Sequence, residues 1–210
     1  MTERKLVVIS GGTAGIGREL SLSFARRGYN IVFLTHNVAK TEEFLRELRQ
    51  DYSENFDYLV CEITKEADLA SGLAEVLTKF GQINVFVNNA GYGPSISGYP
   101  AKKITELTGD TWDMYLDNCL KGIFFSVKIE LTLLQEQGFG VIINTALERV
   151  DYKPKNLLYA VAKDGIAAIT KTAQATVEEE PDISVHLLKG NEIEGKKEWE
   201  RIIASLEAIT

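Results

Sequence analysis

Cysteine is nearly missing from this chain: Cys61 and Cys119 are the two in 210 residues. No C-x-x-C occurs, so neither a disulfide framework nor a zinc site is expected. Histidine is as scarce. His36 and His186 lie far apart and read as a loop residue and a strand residue, which argues against a histidine-based metal centre, and no metal is expected. Positive charge is in deficit, with 23 Lys and Arg against 30 Asp and Glu for a formal net charge of −7. No Lys/Arg run concentrates it, which excludes the electrostatic footprint of a nucleic-acid binder. Long apolar runs are lacking too, none approaching the ~18 residues that cross a bilayer. The N-terminus passes almost directly into the first apolar stretch and shows no export or anchoring signal, so a cytoplasmic protein without membrane association is expected. With four prolines, no Pro/Ser linker, no repeat and no low-complexity tract, 210 residues suit one well-filled domain over 1–210.

What is there is ordinary globular composition, 45% hydrophobic and 25% charged. Its organising stretch runs from Leu6 to Gly28. An apolar strand, Leu6-Val7-Val8-Ile9, breaks into Ser10-Gly11-Gly12-Thr13-Ala14-Gly15-Ile16-Gly17, and a helix over Arg18–Arg27 follows. A continuous apolar run is the mark of a buried parallel strand. Glycines just after it permit a sharp turn and close backbone approach to a ligand. The helix then aims its free amide groups and the positive end of its dipole at the same spot, which favours an anion. The pattern is G-x-x-x-G-x-G at Gly11, Gly15 and Gly17, not the G-x-G-x-x-G dinucleotide fingerprint, and it reads as a candidate phosphate cradle.

Downstream, apolar runs alternate with amphipathic stretches, the pattern of a doubly wound parallel α/β sheet. Strands are expected at Ile31–Thr35, Tyr58–Cys61, Val85–Val87, Val141–Asn144 and Ile183–Leu188. Helices are expected at Ala39–Gln50, Glu66–Phe80, Asp110–Gln137, Asn156–Glu180 and Lys196–Ala208. Phe44, Leu45 and Leu48 make one core stripe, and Leu69, Leu73, Val76, Leu77 and Phe80 another. Between Gly91 and Gly109 a Gly/Ser/Pro-rich loop leaves the carboxyl end of strand four, where ligands of open α/β sheets bind; it is a candidate substrate lid.

The glycine turn, Asn88-Asn89-Ala90-Gly91, Trp112 with Gly122, and Tyr159 followed four residues on by Lys163 together resemble the short-chain dehydrogenase/reductase family, in order and at family-like spacing over residues 1 to about 190. The resemblance implies a Rossmann-type, three-layer sheet of strand order 3-2-1-4-5-6, here without the family's seventh strand. It implies a nicotinamide dinucleotide across the carboxyl ends of the strands. Gly11, Thr13, Ala14, Gly15, Ile16 and Gly17 would hold its phosphates, Glu62 and Ile63 its adenine, Asn89, Ala90 and Gly91 the adenine ribose, and Lys163 the nicotinamide ribose.

The chemistry also follows from the residues. A tyrosine titrates near 10 and needs a neighbouring cation to act near neutrality. Lys163 shares a helix face with Tyr159 and can supply it. Tyr159 would then exchange a proton with a substrate oxygen while hydride moves at the nicotinamide. At the end of strand two, Thr35, His36 and Asn37 offer no carboxylate to repel a 2′-phosphate, which favours NADP(H) over NAD(H).

Four departures accompany the resemblance. The family's serine, thirteen residues before the tyrosine, is Ala146; the adjacent Thr145 points to the opposite face of the strand. Losing one donor to a developing oxyanion costs about 10²–10³ in rate. The family's asparagine is Cys119, with Asn118 one residue early, unless a helix bulge brings Asn118 into place. Glu194 stands where a cofactor-touching threonine would be, and the chain stops at Thr210, leaving strand six as an edge. Two functional classes result. One is an NADP(H)-dependent carbonyl reductase or alcohol dehydrogenase acting on a small-molecule substrate. The other is a dinucleotide-binding protein with little redox activity, serving as a regulatory or partner subunit or in a non-redox step. A homo-oligomer is expected through the helices around 110–137 and 156–180, where Leu116, Leu120, Ile123, Phe124 and Val127 form an apolar face.

Overall fold

A computed structural model of the chain describes residues 4–91, 103–148, 157–191 and 197–202. Six strands, β1 (Leu6–Ser10), β2 (Asn30–Thr35), β3 (Phe56–Val60), β4 (Val85–Asn88), β5 (Gly140–Glu148) and β6 (Ile183–Asn191), form one sheet in the order 3-2-1-4-5-6. All five pairings are parallel, as the buried apolar runs require. The helices are α1 (Gly15–Ala25), α2 (Val38–Asp51), α3 (Glu66–Phe80), α4 (Gly109–Leu116), α5 (Gly122–Gln137) and α6 (Leu157–Thr176), with a further helical segment over 197–202.

Alternation along the strands divides the core in two. Val7, Ile9, Ile31, Phe33, Val85, Val87, Val141 and Ile143 face α1, α2 and the 197–202 segment, where Phe24, Phe44, Leu45, Leu48, Trp199 and Ile202 pack. Leu6, Val8, Val32, Leu34, Phe86 and Ile142 face α3, α5 and α6, meeting Leu69, Leu73, Val76, Ile123, Val127 and Ile166. Both expected helix stripes are therefore core. Asn37 caps α2 locally, its Oδ1 accepting from Lys40 N at 3.1 Å, and across the fold Trp199 ties the 197–202 segment to α1, donating from Nε1 to Ser23 Oγ at 3.1 Å.

Several expectations change. Helix α1 begins at Gly15, not Arg18, because the glycine turn winds directly into it. Strand β3 starts at Phe56 and ends before Cys61, following its pairing with β2 from Ile31↔Phe56 to Thr35↔Val60. β5 and β6 run on past Asn144 and Leu188 because they pair continuously to Glu148↔Asn191. Helix α6 stops at Thr176 rather than Glu180. The helix expected over Asp110–Gln137 is interrupted by a π-helical turn, Asp117–Lys121, in which Gly122 N–H donates to Asp117 O five residues back. The inserted residue rotates the following face by about 100°. Ile123 and Val127, expected on an outward apolar face, consequently lie in the core at 1% and 4% exposure, while Phe124 is 48% exposed. The start of the loop after Gly91, the region around Asn156, Glu194 and most of the last helix lie outside the described residues.

Candidate active site at the carboxyl ends of the strands

The site is assembled from the ends of β1, β4 and β5 and the start of α6. Ser10 closes β1: its Oγ donates to Val87 O at 3.4 Å and accepts from the N–H groups of Asn89 and Ala90, both at 3.2 Å. The glycine turn and the Asn89–Gly91 segment are thereby locked side by side. Asn89 adds a second tie, donating from Nδ2 to Gly11 O at 3.0 Å. Gly11 has φ of 64°, and a Cβ on it would stand 2.9 Å from Ala90 Cα. At Gly17 a Cβ would meet the backbone oxygen of Gly11 at 2.1 Å, which is prohibitive, and would displace the Asn89 side chain, whose Nδ2 stands at 2.5 Å. Gly17→Ala is therefore expected to cost about 1–3 kcal/mol, read as a lower urea midpoint with unchanged slope.

Helix α1 starts at this junction with no side-chain cap, Ala14 standing at the N-cap and no acidic residue in the first turn. Among the described residues no side chain caps its free amides, and the space a Cβ of Gly15 would enter is open to 4 Å. An uncapped, glycine-opened helix start suits the phosphate of a dinucleotide. Thr13 and Ile16 are half-buried and Ala14 exposed around it. Thr35, His36 and Asn37 sit at the end of β2. The Thr35 hydroxyl accepts from Asn37 N at 3.0 Å and from Thr41 Oγ1 at 2.9 Å, and no carboxylate stands among the three. Glu62 Oε1 accepts from Thr64 Oγ1 at 2.9 Å, and Ile63 packs so closely on α5 that a Cβ on Gly122 would lie 2.9 Å from its Cδ1.

Tyr159 and Lys163, four apart on α6, come together at the other end of this strip. Lys163 Nζ lies 5.5 Å from the centroid of the Tyr159 ring and donates to Thr145 O at 3.4 Å. Tyr159 is buried among Tyr115, Cys119, Leu158 and Ala162. The Thr145 hydroxyl donates toward Asn89 Oδ1 at 3.0 Å and Asn88 O at 3.3 Å. A continuous chain of contacts thus runs from Gly11 through Asn89 and Thr145 to Lys163, joining the glycine turn to the tyrosine–lysine pair.

The altered positions are equally clear. Ala146 is 1% exposed and packs in the apolar cluster with Ile166, on the face opposite the Thr145 hydroxyl. The π-helical turn does not bring Asn118 into the tyrosine cluster: its Nδ2 donates to Met114 O at 2.8 Å, and Cys119 is the residue packed there. Gly91 borders it, a Cβ on Gly91 standing 3.8 Å from Cys119 Sγ. Among the described residues no three His, Cys, Asp or Glu side chains gather as metal ligands, and no helix is long and apolar enough to cross a membrane.

Beneath the site lies a polar group the sequence reading missed. Glu130 is 1% exposed and accepts from Asn88 Nδ2 at 2.7 Å. Burial pushes its carboxyl up to about 8, the Asn88 bond pulling the other way. The available signal was its place in the Ile123, Val127, Glu130, Leu134 stripe of α5, whose other members are core.

A family model described as short chain dehydrogenase matches residues 5–195. YtkK of Bacillus subtilis is 29% identical over 194 residues, covering 90% of this chain and 73% of its own length. Three further curated relatives are matched over 59%, 64% and 67% of their lengths, so the chain spans roughly two thirds of such proteins. Among solved structures, an alcohol dehydrogenase from the archaeon Thermococcus sibiricus complexed with 5-hydroxy-NADP superposes with a TM-score of 0.75 at 26% identity, over 90% of this chain and 77% of that one. An NAD+-bound xylitol dehydrogenase shares the fold, with a TM-score of 0.79 at 24% identity over 91% and 72% of the two chains.

Proposed function

We propose that this chain, which belongs to the short-chain dehydrogenase family, is a nicotinamide-dinucleotide-dependent oxidoreductase that interconverts a small carbonyl compound and its alcohol, with NADP(H) as the preferred coenzyme. The observation that carries the reading is the joined strip just described: an uncapped helix start opened by Gly15 at one end, the Tyr159–Lys163 pair at the other, and Asn89 and Thr145 bonded between them.

Gly11, Thr13, Ala14, Gly15, Ile16 and Gly17 would hold the coenzyme phosphates, Glu62 and Ile63 the adenine, and Asn89, Ala90 and Gly91 the adenine ribose. When bound, the nicotinamide supplies or accepts the hydride. Tyr159 gives its phenolic proton to the carbonyl oxygen in reduction and takes it back in oxidation. Lys163, held by the Thr145 carbonyl, keeps positive charge beside that phenol, which stabilises its ionised form. The coenzyme preference rests on the carboxylate-free end of β2 at Thr35, His36 and Asn37, and on the 5-hydroxy-NADP held by the Thermococcus relative.

Ala146 and Cys119 favour the second reading, a coenzyme-binding protein with little turnover, because no hydroxyl at 146 can donate to the substrate oxygen. One experiment separates the two. The protein is titrated with NADPH and NADH by tryptophan fluorescence, then mixed with a panel of aldehydes, ketones and quinones while reduced nicotinamide is followed by absorbance. The oxidoreductase reading expects tighter NADPH than NADH binding, and turnover with at least one substrate. Binding without turnover across the panel supports the second reading, and binding of neither coenzyme overturns both.

A further inference from the structure

We infer that Glu130 is a positioning residue for this coenzyme site: from helix α5, beneath the sheet, it fixes Asn88 and through it the Asn89–Gly91 turn and the end of β5. The inference rests on the nucleotide-binding reading given above.

Position 130 belongs to an apolar stripe, and Leu would suit it. A carboxyl group removed from water there must find a partner or be strongly destabilising. Its partner is the side chain of the last residue of β4. Asn88 Nδ2 lies 2.7 Å from Glu130 Oε2 and 3.0 Å from Asn144 Oδ1, and Asn144 stands opposite Asn88 in the β4–β5 register. Asn144 Nδ2 in turn donates to Thr170 Oγ1 at 2.9 Å, which donates to Ile166 O at 2.8 Å on α6, the helix of Tyr159 and Lys163. Asn88, Glu130, Asn144 and Thr170 are all buried. Four elements are tied in one layer by groups whose alternative is an unpaired buried polar atom.

The next residue along each strand belongs to the site. Asn89 follows Asn88 and bonds Gly11; Thr145 follows Asn144 and bonds Asn89, while its carbonyl receives Lys163. The buried layer therefore sets the backbone from which the upper layer projects. Asn88 from β4 is the group bonded to Glu130; Asn144 from β5 and Thr170 from α6 continue the same hydrogen-bonded chain, and Ser126 stands one turn earlier on its own helix, all of them neutral. Burial and the Asn88 bond are the causes of the raised carboxyl, with no part played by a charged side chain. As a neutral acid Glu130 fits this layer. Once ionised it is an uncompensated buried charge, and the layer must part or admit water.

The test compares wild type with Glu130→Gln, which keeps the shape and an acceptor for Asn88 but cannot ionise. Hydrogen exchange of the coenzyme-free proteins is measured at about pH 6.5 and pH 9, on either side of the carboxyl's raised value of about 8, with intrinsic rates removed. The Asn89 and Ala90 amides, relative to those of β2, are expected to lose about tenfold protection in wild type and less than about twofold in the variant, a coupling of ordinary size. The NADPH dissociation constant is expected to rise in the same pattern. Parallel changes in both proteins, loss of protection spread evenly over the sheet, or local loosening without a change in NADPH affinity would each overturn the inference. If neither protein binds NADPH although the exchange difference appears, the nucleotide reading fails and the control of the turn by Glu130 stands. Equal exchange with equal NADPH binding leaves the nucleotide reading intact and removes Glu130 from the site.

Discussion

Tyr159→Phe is expected to lower turnover by about 10²–10⁴-fold while changing coenzyme affinity by less than about twofold. General acid–base catalysis by a placed side chain contributes rate of that order. The substitution is well chosen because the ring is held by packing among Tyr115, Cys119, Leu158 and Ala162, all of which Phe preserves. What disappears is the phenolic oxygen, and with it the only proton the reading gives the substrate. Steady-state rates with NADPH and the best carbonyl substrate measure the first quantity, and fluorescence titration the second. Wild-type turnover in the variant would mean that the proton comes from elsewhere and that the pairing with Lys163, at 5.5 Å from the ring centroid, serves packing alone. A loss in kcat without a loss in binding separates chemistry from coenzyme capture.

All six strands were visible in the sequence because each is a short run rich in apolar residues between amphipathic helices, continuously buried in β1, β2 and β4 and only partly so in β3 and β6, and local patterning is enough to mark such elements. Their ends were less visible. β5 and β6 continue to Glu148 and Asn191 because each supplies the other's backbone partners, a condition no single stretch displays. The π-helical turn hid for a related reason: Asp117–Lys121 breaks no composition rule, yet its extra residue turns Ile123 and Val127 inward and spoils the outward face expected from simple helical phase. In the site, the glycine turn and the Tyr159–Lys163 spacing are local and were readable. So was the facing of Thr145, which strand alternation placed opposite Ala146. The buried layer was not, since Glu130 and Asn144 meet Asn88 across 42 and 56 residues of chain, and nothing in the neighbourhood of Asn88 says that a carboxyl will arrive beneath it.

Glu130→Gln is also expected to change how stability depends on pH, and the sign follows from linkage. The carboxyl rises from an ordinary 4.5 to about 8 in the folded chain. Between those values the unfolded chain has released the proton and the folded chain retains it, so stability falls as pH rises. Below about pH 4.5 the group is protonated in both states, and its favourable contribution is fully present. Above about pH 8 it is ionised in both, and the loss is complete. Within the window the slope approaches about 1.4 kcal/mol per pH unit, the free energy of one proton per unit. Every other titrating group is common to the two proteins and cancels in their difference. Urea unfolding at a series of pH values should therefore give curves that nearly coincide near pH 4.5 and separate steadily toward pH 8, the variant being the more stable, and then run parallel. Curves that stay parallel from pH 5 to pH 8 would place the Glu130 carboxyl in contact with water or a cation, and the buried layer beneath the coenzyme site would lose its titrating member.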